Sequence, residues 1–354
     1  MKTDAKILIC YNAPFSIFSV YNGKPVTENR TGDDLSEKSF SNELNKTIRS
    51  LKKYFTKVDS LAIDRDIKKT LDGINSFAPD IIFNFVEAVE GISSYEYCMA
   101  GLFELLGYEY TGCKPNTLGN CLNKERTKDI LRSFNINTPA SITLKPGTRF
   151  ANKDIQLKYP VILKLLKEDA SIGISEFSVV KNYTELRKQF LFLSDTYKQE
   201  IILEEYIRGR ELNVGVLGGN PLPVSEISFE GLPSKFPRIV TYDGKWIKDS
   251  VYYDHTKPVC PALLKDKTLK RINKVAVAAF EALKCRDYAR IDLRLDSKGV
   301  PHVIEVNPNP DISNDSGFAR ASKAAGLDHD DLLNTIANFA LERKRKHDTQ
   351  VKAG

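Results

Sequence analysis

Apolar positions recur along this chain with two different periods, and the alternation between them predicts its elements. In the first third, short apolar runs at 6–10, 58–63 and 80–85 have strand length. Between them Phe40, Leu44, Ile48, Leu51 and Phe55 follow helical spacing, as do the apolar positions from Ile67 to Phe77. A further helix is expected over 95–106, closed by Gly107. This βαβαβα rhythm predicts a mostly parallel sheet flanked by helices.

The pattern changes near Gly112. A helix is expected at 123–134, then strands at 141–144, 161–166, 176–180 and 201–205, with one helix at 183–193. Strand-rich stretches with few helices suggest an α+β unit. The remainder carries strands at 212–217 and 222–227, a helix at 268–283, and helices after Asp328. Between them, 231–261 has weak periodicity and an excess of base (Lys235, Arg238, Lys245, Lys248, His255 and Lys257). A stretch of that length reads either as a functional lid or as a plain excursion loop.

Composition narrows the class. At 354 residues the chain is too long for one ordinary core, so two or three domains are expected. No apolar run is long enough to span a membrane, and the amino terminus lacks a signal-peptide pattern, so a cytoplasmic location is expected. The six cysteines form no CxxC pair and no zinc spacing, and read as reduced structural thiols. A net charge of +6 spread along the chain argues against a nucleic-acid partner. The run Arg343-Lys344-Arg345-Lys346 reads as a solvated helix end.

The most telling chemistry is a hairpin near the end. Arg290-Ile291-Asp292-Leu293 and Val303-Ile304-Glu305-Val306-Asn307 read as strands joined through Asp296-Ser297-Lys298-Gly299. Side chains alternate faces along a strand, so Arg290 and Asp292 share one face, as do Glu305 and Asn307. Hard oxygen donors in that arrangement suit Mg²⁺; a merely wet polar face is the other reading. Lys164 interrupts the apolar run 161–166, and meets either solvent or an anion in a cleft. Lys124 opens a helix, where a cation is disfavoured unless an anion lies near. The small-residue turn 168–174 has the character of a phosphate-covering loop. In 204–211 an acidic strand end is followed by a glycine turn and Glu211, a frame for an adenine edge and ribose hydroxyls.

Taken together, these strings resemble the ATP-grasp superfamily, and within it the D-alanine–D-alanine ligase branch. The resemblance runs in order through Leu105-Leu106-Gly107-Tyr108-Glu109-Tyr110-Thr111-Gly112-Cys113, Asn123-Lys124-Glu125-Arg126-Thr127-Lys128, Tyr159-Pro160-Val161-Ile162-Leu163-Lys164, Leu203-Glu204-Glu205-Tyr206-Ile207, Cys260-Pro261-Ala262, Ala289-Arg290-Ile291-Asp292 and Ile304-Glu305-Val306-Asn307. It implies a three-domain architecture: an α/β domain over 1–113, a central ATP-grasp subdomain over 114–206, and a C-terminal subdomain over 207–354. ATP is then held between the two α+β parts.

The resemblance also implies roles. Lys124 and Lys164 contact ATP phosphates beneath the 168–173 loop, whose Ser171 and Gly173 face the nucleotide. Glu204, the backbones of Glu205 and Ile207, and the carboxylate of Glu211 hold adenosine. Asp292, Glu305 and Asn307 bind two Mg²⁺ ions, with Mn²⁺ as an alternative. Lys245 reaches the γ-phosphate, Arg290 stabilises the oxyanion of a tetrahedral intermediate, and Ser316 aligns with an acceptor-site serine. The implied partners are a small-molecule carboxylate and an amine, amino acids or their derivatives, and the implied assembly is a homodimer.

The chain departs from the family pattern where substrates sit. The Gly-rich turn and Ser-x-Glu-His motif after the first strand are replaced by Tyr11-Asn12-Ala13-Pro14-Phe15-Ser16-Ile17. The serine and tyrosine that normally connect with that glutamate are Ala170 and Trp246, and the glycine of the Asn-x-x-Pro-Gly string is Asp311. A carboxylate–amine ligase acting on substrates other than two D-alanines is therefore expected. The alternatives are an authentic D-alanine–D-alanine ligase with a divergent entry loop, and a non-catalytic nucleotide-binding module. Glu87, Glu90 and Glu96 are candidates for replacement acidic contacts, and Asp311 suits a cationic acceptor.

Overall fold

The computed structural model describes residues 2–12, 15–18, 20–24 and 35–353. Ala13 and Pro14, in the segment that replaces the Gly-rich turn, lie outside the described residues. The chain opens with β1 (Thr3–Asn12), α1 (Leu35–Leu51), β2 (Phe55–Ile63), α2 (Ile67–Phe77), β3 (Ile81–Phe85) and α3 (Tyr95–Leu105). The three strands form a parallel sheet in the order β2-β1-β3. The centre of β1, Ile7 to Cys10, is buried on both faces, as parallel sheets require. The helix expected to reach Phe55 stops at Leu51, and Phe55 begins β2 with its ring in the core. Helical spacing persisted through Phe55 because the inward face of the next strand continues the same apolar series.

Short helices α4 (Pro115–Leu122) and α5 (Lys124–Ser133) follow, and Asn123 between them caps α5 by accepting the Arg126 N–H. The sequence reading missed α4. Next come β4 (Ser141–Leu144), β5 (Val161–Leu165), β6 (Val179–Val180), α6 (Tyr183–Tyr197) and β7 (Ile201–Glu205), an antiparallel sheet in the order β4-β7-β5-β6. Leu186, Phe190, Leu193 and Tyr197 lie on one stripe of α6 and seal one face against Leu163, Leu165 and Leu203. The strand expected over 176–180 is half a 3₁₀ turn, Glu176–Ser178, and only Val179–Val180 pairs. Ser175 causes this, because its hydroxyl accepts the Phe177 N–H and closes the turn.

The rest comprises β8 (Arg210–Leu217), β9 (Asn220–Pro221), β10 (Ser225–Ser228), α7 (Tyr242–Trp246), α8 (Val251–His255), β11 (Lys257–Val259), α9 (Asp266–Ala282), β12 (Tyr288–Leu295), β13 (Pro301–Asn307), α10 (Gly317–Ala324) and α11 (His329–Ala353). Strand order is β11-β10-β8-β12-β13, all antiparallel, with β9 beside β8. Helix α9 buries one face through Ile272, Ala276, Ala279 and Phe280 against Leu212, Val214, Ile291 and Leu293. The alternate positions Glu211, Asn213, Arg290, Asp292, Arg294, Glu305 and Asn307 therefore point to the opposite face. That face is one wall of a cleft whose other wall is the β5–β7 sheet.

The 231–261 stretch is structured rather than irregular, with α7 capped by Thr241 and α8 by Ser250. Of the run expected as one strand at 222–227, only the part from Ser225 on is strand, as β10, while β9 lies just before the run at Asn220–Pro221. Helix α11 leaves the last sheet and packs on the first one, where Leu332, Ile336 and Ala340 meet Ile7, Ile9, Ile81 and Phe83. Among the described residues, no helix is long and apolar enough to cross a membrane.

Candidate active site

The cleft has a volume of about 730 Å³ and collects nearly every residue singled out from sequence. Lys124, Lys164, Ser171, Glu204, Glu205, Ile207, Glu211, Lys245, Arg290, Asp292, Glu305, Asn307 and Ser316 all line it. Gly173 does not; its N–H donates to the Tyr21 carbonyl at 2.7 Å.

The hairpin has the register its polar face predicted. Asp292 stands opposite Glu305, and Arg290 opposite Asn307. Gly299 takes φ +71°, the left-handed conformation that closes the connection. Asp292 is held by four hydrogen bonds. Arg290 grips it bidentately (Nε to Oδ1 2.8 Å, Nη2 to Oδ2 2.9 Å), Asn213 Nδ2 donates at 2.6 Å, and Asn307 Nδ2 donates at 3.1 Å. Burial would lower the Arg290 guanidinium, but Asp292, Glu305 and Asp311 around it hold it above the ordinary arginine value.

Lys124 resolves the puzzle of a cation at a helix start. Its Nζ lies 3.1 Å from both Asp169 Oδ1 and Glu305 Oε1, and donates to the Glu168 carbonyl at 2.5 Å. Burial favours its neutral form, yet Asp169 and Glu305 more than reverse this, and the ammonium is held above the lysine range. Burial would raise Glu305, but Lys124, Lys164 and Lys245 pull it down to about 2. Lys245 has no salt bridge among the described residues. Desolvation within the cleft, and then the nearby Arg290 charge, hold its ammonium below the usual lysine value. A cation made uncomfortable by its surroundings is one that an incoming anion relieves.

The acidic strand end is more constrained than the sequence implied. Glu204 is fully buried between two lysines, with Lys128 and Lys164 each at 3.1 Å. Lys128 was quoted above only as part of a motif; it is a buried ion-pair partner whose Nζ also donates to the Ile304 carbonyl at 3.3 Å. Burial and the neighbouring Lys164 outweigh Glu204 and push Lys128 down to about 8.

At this one site the unfolded state therefore binds a proton that the folded state has given up between pH 8 and the ordinary lysine value of about 10.4. The contribution of Lys128 to stability should rise with pH through that window, relative to a variant that lacks the amine. Chemical denaturation at steps across it should show wild type gaining on Lys128→Met. A difference that stays flat would contradict the depressed lysine.

At the adenine end, the Glu205 N–H is already bonded to the Ala140 carbonyl at 2.9 Å, and Tyr206 N–H to that of Pro160 at 2.9 Å. Glu211 keeps one oxygen for a ligand, because its Oε2 accepts from Arg294 Nη1 at 2.7 Å. Arg294 was not foreseen. It also donates to the carbonyls of Arg238 and Gly209 and stacks over the Tyr206 ring at 4.8 Å. Its position on the Arg290–Asp292 face, two residues further along the strand, was the available signal.

Turn 168–174 is strained as a functional loop often is, with Ala170 and Ser171 at φ +53° and +63°. The Ser316 hydroxyl caps α10 by accepting the Ala319 N–H at 3.1 Å. Of the candidate acidic contacts, Glu87 and Glu96 line the cleft, while Glu90 turns away to Arg65 at 2.7 Å. Glu96 receives Asn309 Nδ2 at 3.2 Å, and burial, reinforced by Glu87 and Asp169, pushes its carboxyl well above the usual range. Asp311 also lines the cleft, and its carboxylate accepts the Ser313 N–H at 2.8 Å.

Among the described residues, no three His, Cys, Asp or Glu side chains close on a single ion position. Two carboxylates and one amide, open to a cleft, match an ion that keeps water and takes substrate phosphate oxygens as further ligands. That is the habit of Mg²⁺.

A family model described as the C-terminus of D-ala D-ala ligase matches residues 130–338. The uncharacterized protein y4sG of Sinorhizobium fredii is 32% identical over 264 residues, covering 74% of this chain and 75% of its own length. The D-alanine–D-alanine ligase of Nitrosospira multiformis is 30% identical over 253 residues, covering 72% and 78%. The crystal structure of the Bacillus anthracis D-alanine–D-alanine ligase complexed with ATP covers 98% of this chain and 100% of its own, with TM-score 0.74 and 22% identity. That last likeness speaks to fold.

Proposed function

The chain belongs to the D-alanine–D-alanine ligase family of ATP-grasp proteins, and from this premise we propose that it joins a carboxylate to an amine other than two D-alanines. It is an ATP-grasp ligase forming a carbon–nitrogen bond. The observation that supports the reaction chemistry is the meeting of Lys124, Lys164, Lys245 and Arg290 with Asp292 and Glu305 in one cleft.

A substrate carboxylate attacks the γ-phosphate of ATP, forming an acyl phosphate and releasing ADP. The amine then adds to the acyl carbon, and phosphate leaves. Lys124, Lys164 and Lys245 offset charge on the transferred phosphoryl group, where positioning and electrostatics supply most of the rate. Asp292, Glu305 and Asn307 would hold Mg²⁺, two ions on this reading, and the metal would supply charge to offset that on the phosphate oxygens. Arg290, steadied by its bidentate grip on Asp292, faces the oxyanion that forms when the amine adds. Glu204, Glu205, Ile207 and Glu211 frame the adenosine. Structure over 231–261 excludes water from the acyl phosphate.

The substrate reading rests on the entry side. Asp311 places a carboxylate on the cleft wall close enough to raise Arg290. An acceptor bearing its own carboxylate is disfavoured there, and a cationic acceptor is favoured. With Mg-ATP and a panel of amino acids and amines, product mass spectra should favour cationic acceptors. Asp311→Gly should cut that preference about three-fold, the worth of ~0.6 kcal/mol for an exposed, solvent-screened charge. A second reading is favoured by the names of the curated relatives, D-alanine–D-alanine ligase itself. Dipeptides of small neutral amino acids as the best products would select it and remove the cationic acceptor.

A further inference from the structure

We propose that residues 21–24 form a latch over the phosphate end of the cleft, and that Lys24, by pairing with Asp243, positions the short helix carrying Lys245. The inference rests on the reading of Lys245 as a phosphate-facing lysine. Three segments far apart in sequence meet here: the strip around residues 17–24, turn 168–176, and helix α7.

The strip docks on the turn through backbone contacts. Gly173 N–H donates to the Tyr21 carbonyl at 2.7 Å, and the Ser175 hydroxyl donates to the Gly23 carbonyl at 3.2 Å. Gly23 takes φ +67°, and a Cβ there would stand 2.2 Å from the Gly173 carbonyl oxygen. So close a backbone approach admits glycine alone. The Tyr21 hydroxyl accepts the N–H groups of Ile17 and Phe18, both of which line the cleft.

The turn and the strip then both hold α7. Tyr242 N–H donates to the Ile174 carbonyl at 3.0 Å, and Trp246 Nε1 donates to the Ala170 carbonyl at 3.2 Å. The rings of Tyr21 and Tyr242 lie 6.0 Å apart. Lys24 Nζ sits 2.6 Å from Asp243 Oδ2 and 3.0 Å from Glu176 Oε2, so one ammonium ties α7 to the turn's far end. The Asp243 side chain is only 10% exposed, and its other oxygen has no hydrogen-bond partner among the described residues. Among the described residues, Lys24 is the cation paired with it.

Without that cation, a nearly buried carboxylate would stand unpaired two residues from Lys245, and swinging α7 toward water relieves it. The turn and α7 are the stretches in which the family pattern's serine and tyrosine are missing here, and the latch follows the segment that lacks its glutamate. The latch is a different chemical solution to holding the two covers together.

Trp246 is the chain's one tryptophan and lies on α7, so its emission reports the closure directly. In the full chain without nucleotide, Lys24→Gln should shift Trp246 emission to longer wavelength and raise acrylamide quenching roughly two-fold, the mark of local opening. Lys24→Arg should keep the wild-type spectrum. Lys24→Gln combined with Asp243→Asn should return toward it, because no carboxylate is left to neutralise. Wild-type emission in Lys24→Gln, an equal shift in Lys24→Arg, or no recovery in the double variant would each overturn the latch. No substrate is used, so the result stands apart from the ligase reading.

Discussion

Replacing Glu305 with glutamine should lower ligase turnover by about 10²–10³-fold, the loss typical when one preorganised charge is removed from such a site. Three lysines hold the Glu305 carboxylate ionised far below neutral pH, so the wild-type group is an anion throughout the working range. It stands directly across from Asp292 on the paired strand, and on the proposed reading both would offer oxygen to a divalent ion. Glutamine keeps the shape and removes the charge. The proposed metal site would then have one carboxylate in place of two, while Lys124 loses one of its two anionic partners. The fold should survive, because Lys124 retains Asp169 at 3.1 Å and the Glu168 carbonyl. The measurement is ADP release with Mg-ATP and the best substrate pair, across a Mg²⁺ titration, alongside a thermal melt. Turnover near wild type in a folded variant would sink the metal assignment.

How much of this was legible follows from what each residue answers to. The hairpin could be read because two-residue periodicity is local, so Arg290, Asp292, Glu305 and Asn307 had to share a face whatever the rest of the chain did. Lys124 and Lys164 were visible as anomalies, charges where burial or a helix start disfavours them. Their partners were not. Nothing near Lys128 in sequence announces Glu204, seventy-odd positions away, and nothing near Glu211 announces Arg294. Ion pairs across a cleft are set by tertiary packing, which one-dimensional patterns do not encode. The same limit applies to 231–261, where two short capped helices carry too few turns to print a period. Phe55 failed in the opposite direction, since an inward strand residue happened to extend a helical series.

In the basic run at the end of the chain Arg345 and Lys346 are exposed as expected. Arg343 is not free in solvent, again because its partners are set by tertiary packing, and it leads to the largest stability effect. Replacing Arg343 with alanine should destabilise the protein by about 3 kcal/mol, the low end for stripping a partner from a buried charge because Arg343 itself is partly exposed. Far from being solvated, its guanidinium meets Asp287 twice, at 2.6 and 3.0 Å, along with Glu109 at 3.0 Å and the Tyr110 carbonyl at 2.8 Å. Asp287 is almost wholly buried, and also accepts the Gly112 N–H at 2.9 Å. One arginine on α11 thus joins the segment after the parallel sheet to the residue that precedes β12, the strand bearing Arg290 and Asp292. Its loss leaves the Asp287 carboxylate buried with a single neutral donor. Asp287→Asn in the same chain should recover part of the deficit, since an amide there costs less to bury than an unpaired anion. Arg345, exposed two residues on, sets the contrast: its alanine variant should stay within about 0.5 kcal/mol of wild type. Urea unfolding of the four proteins checks the set. Equal midpoints for the Arg343 and Arg345 variants would mean that α11 is held by its apolar face alone, through Leu332, Ile336 and Ala340.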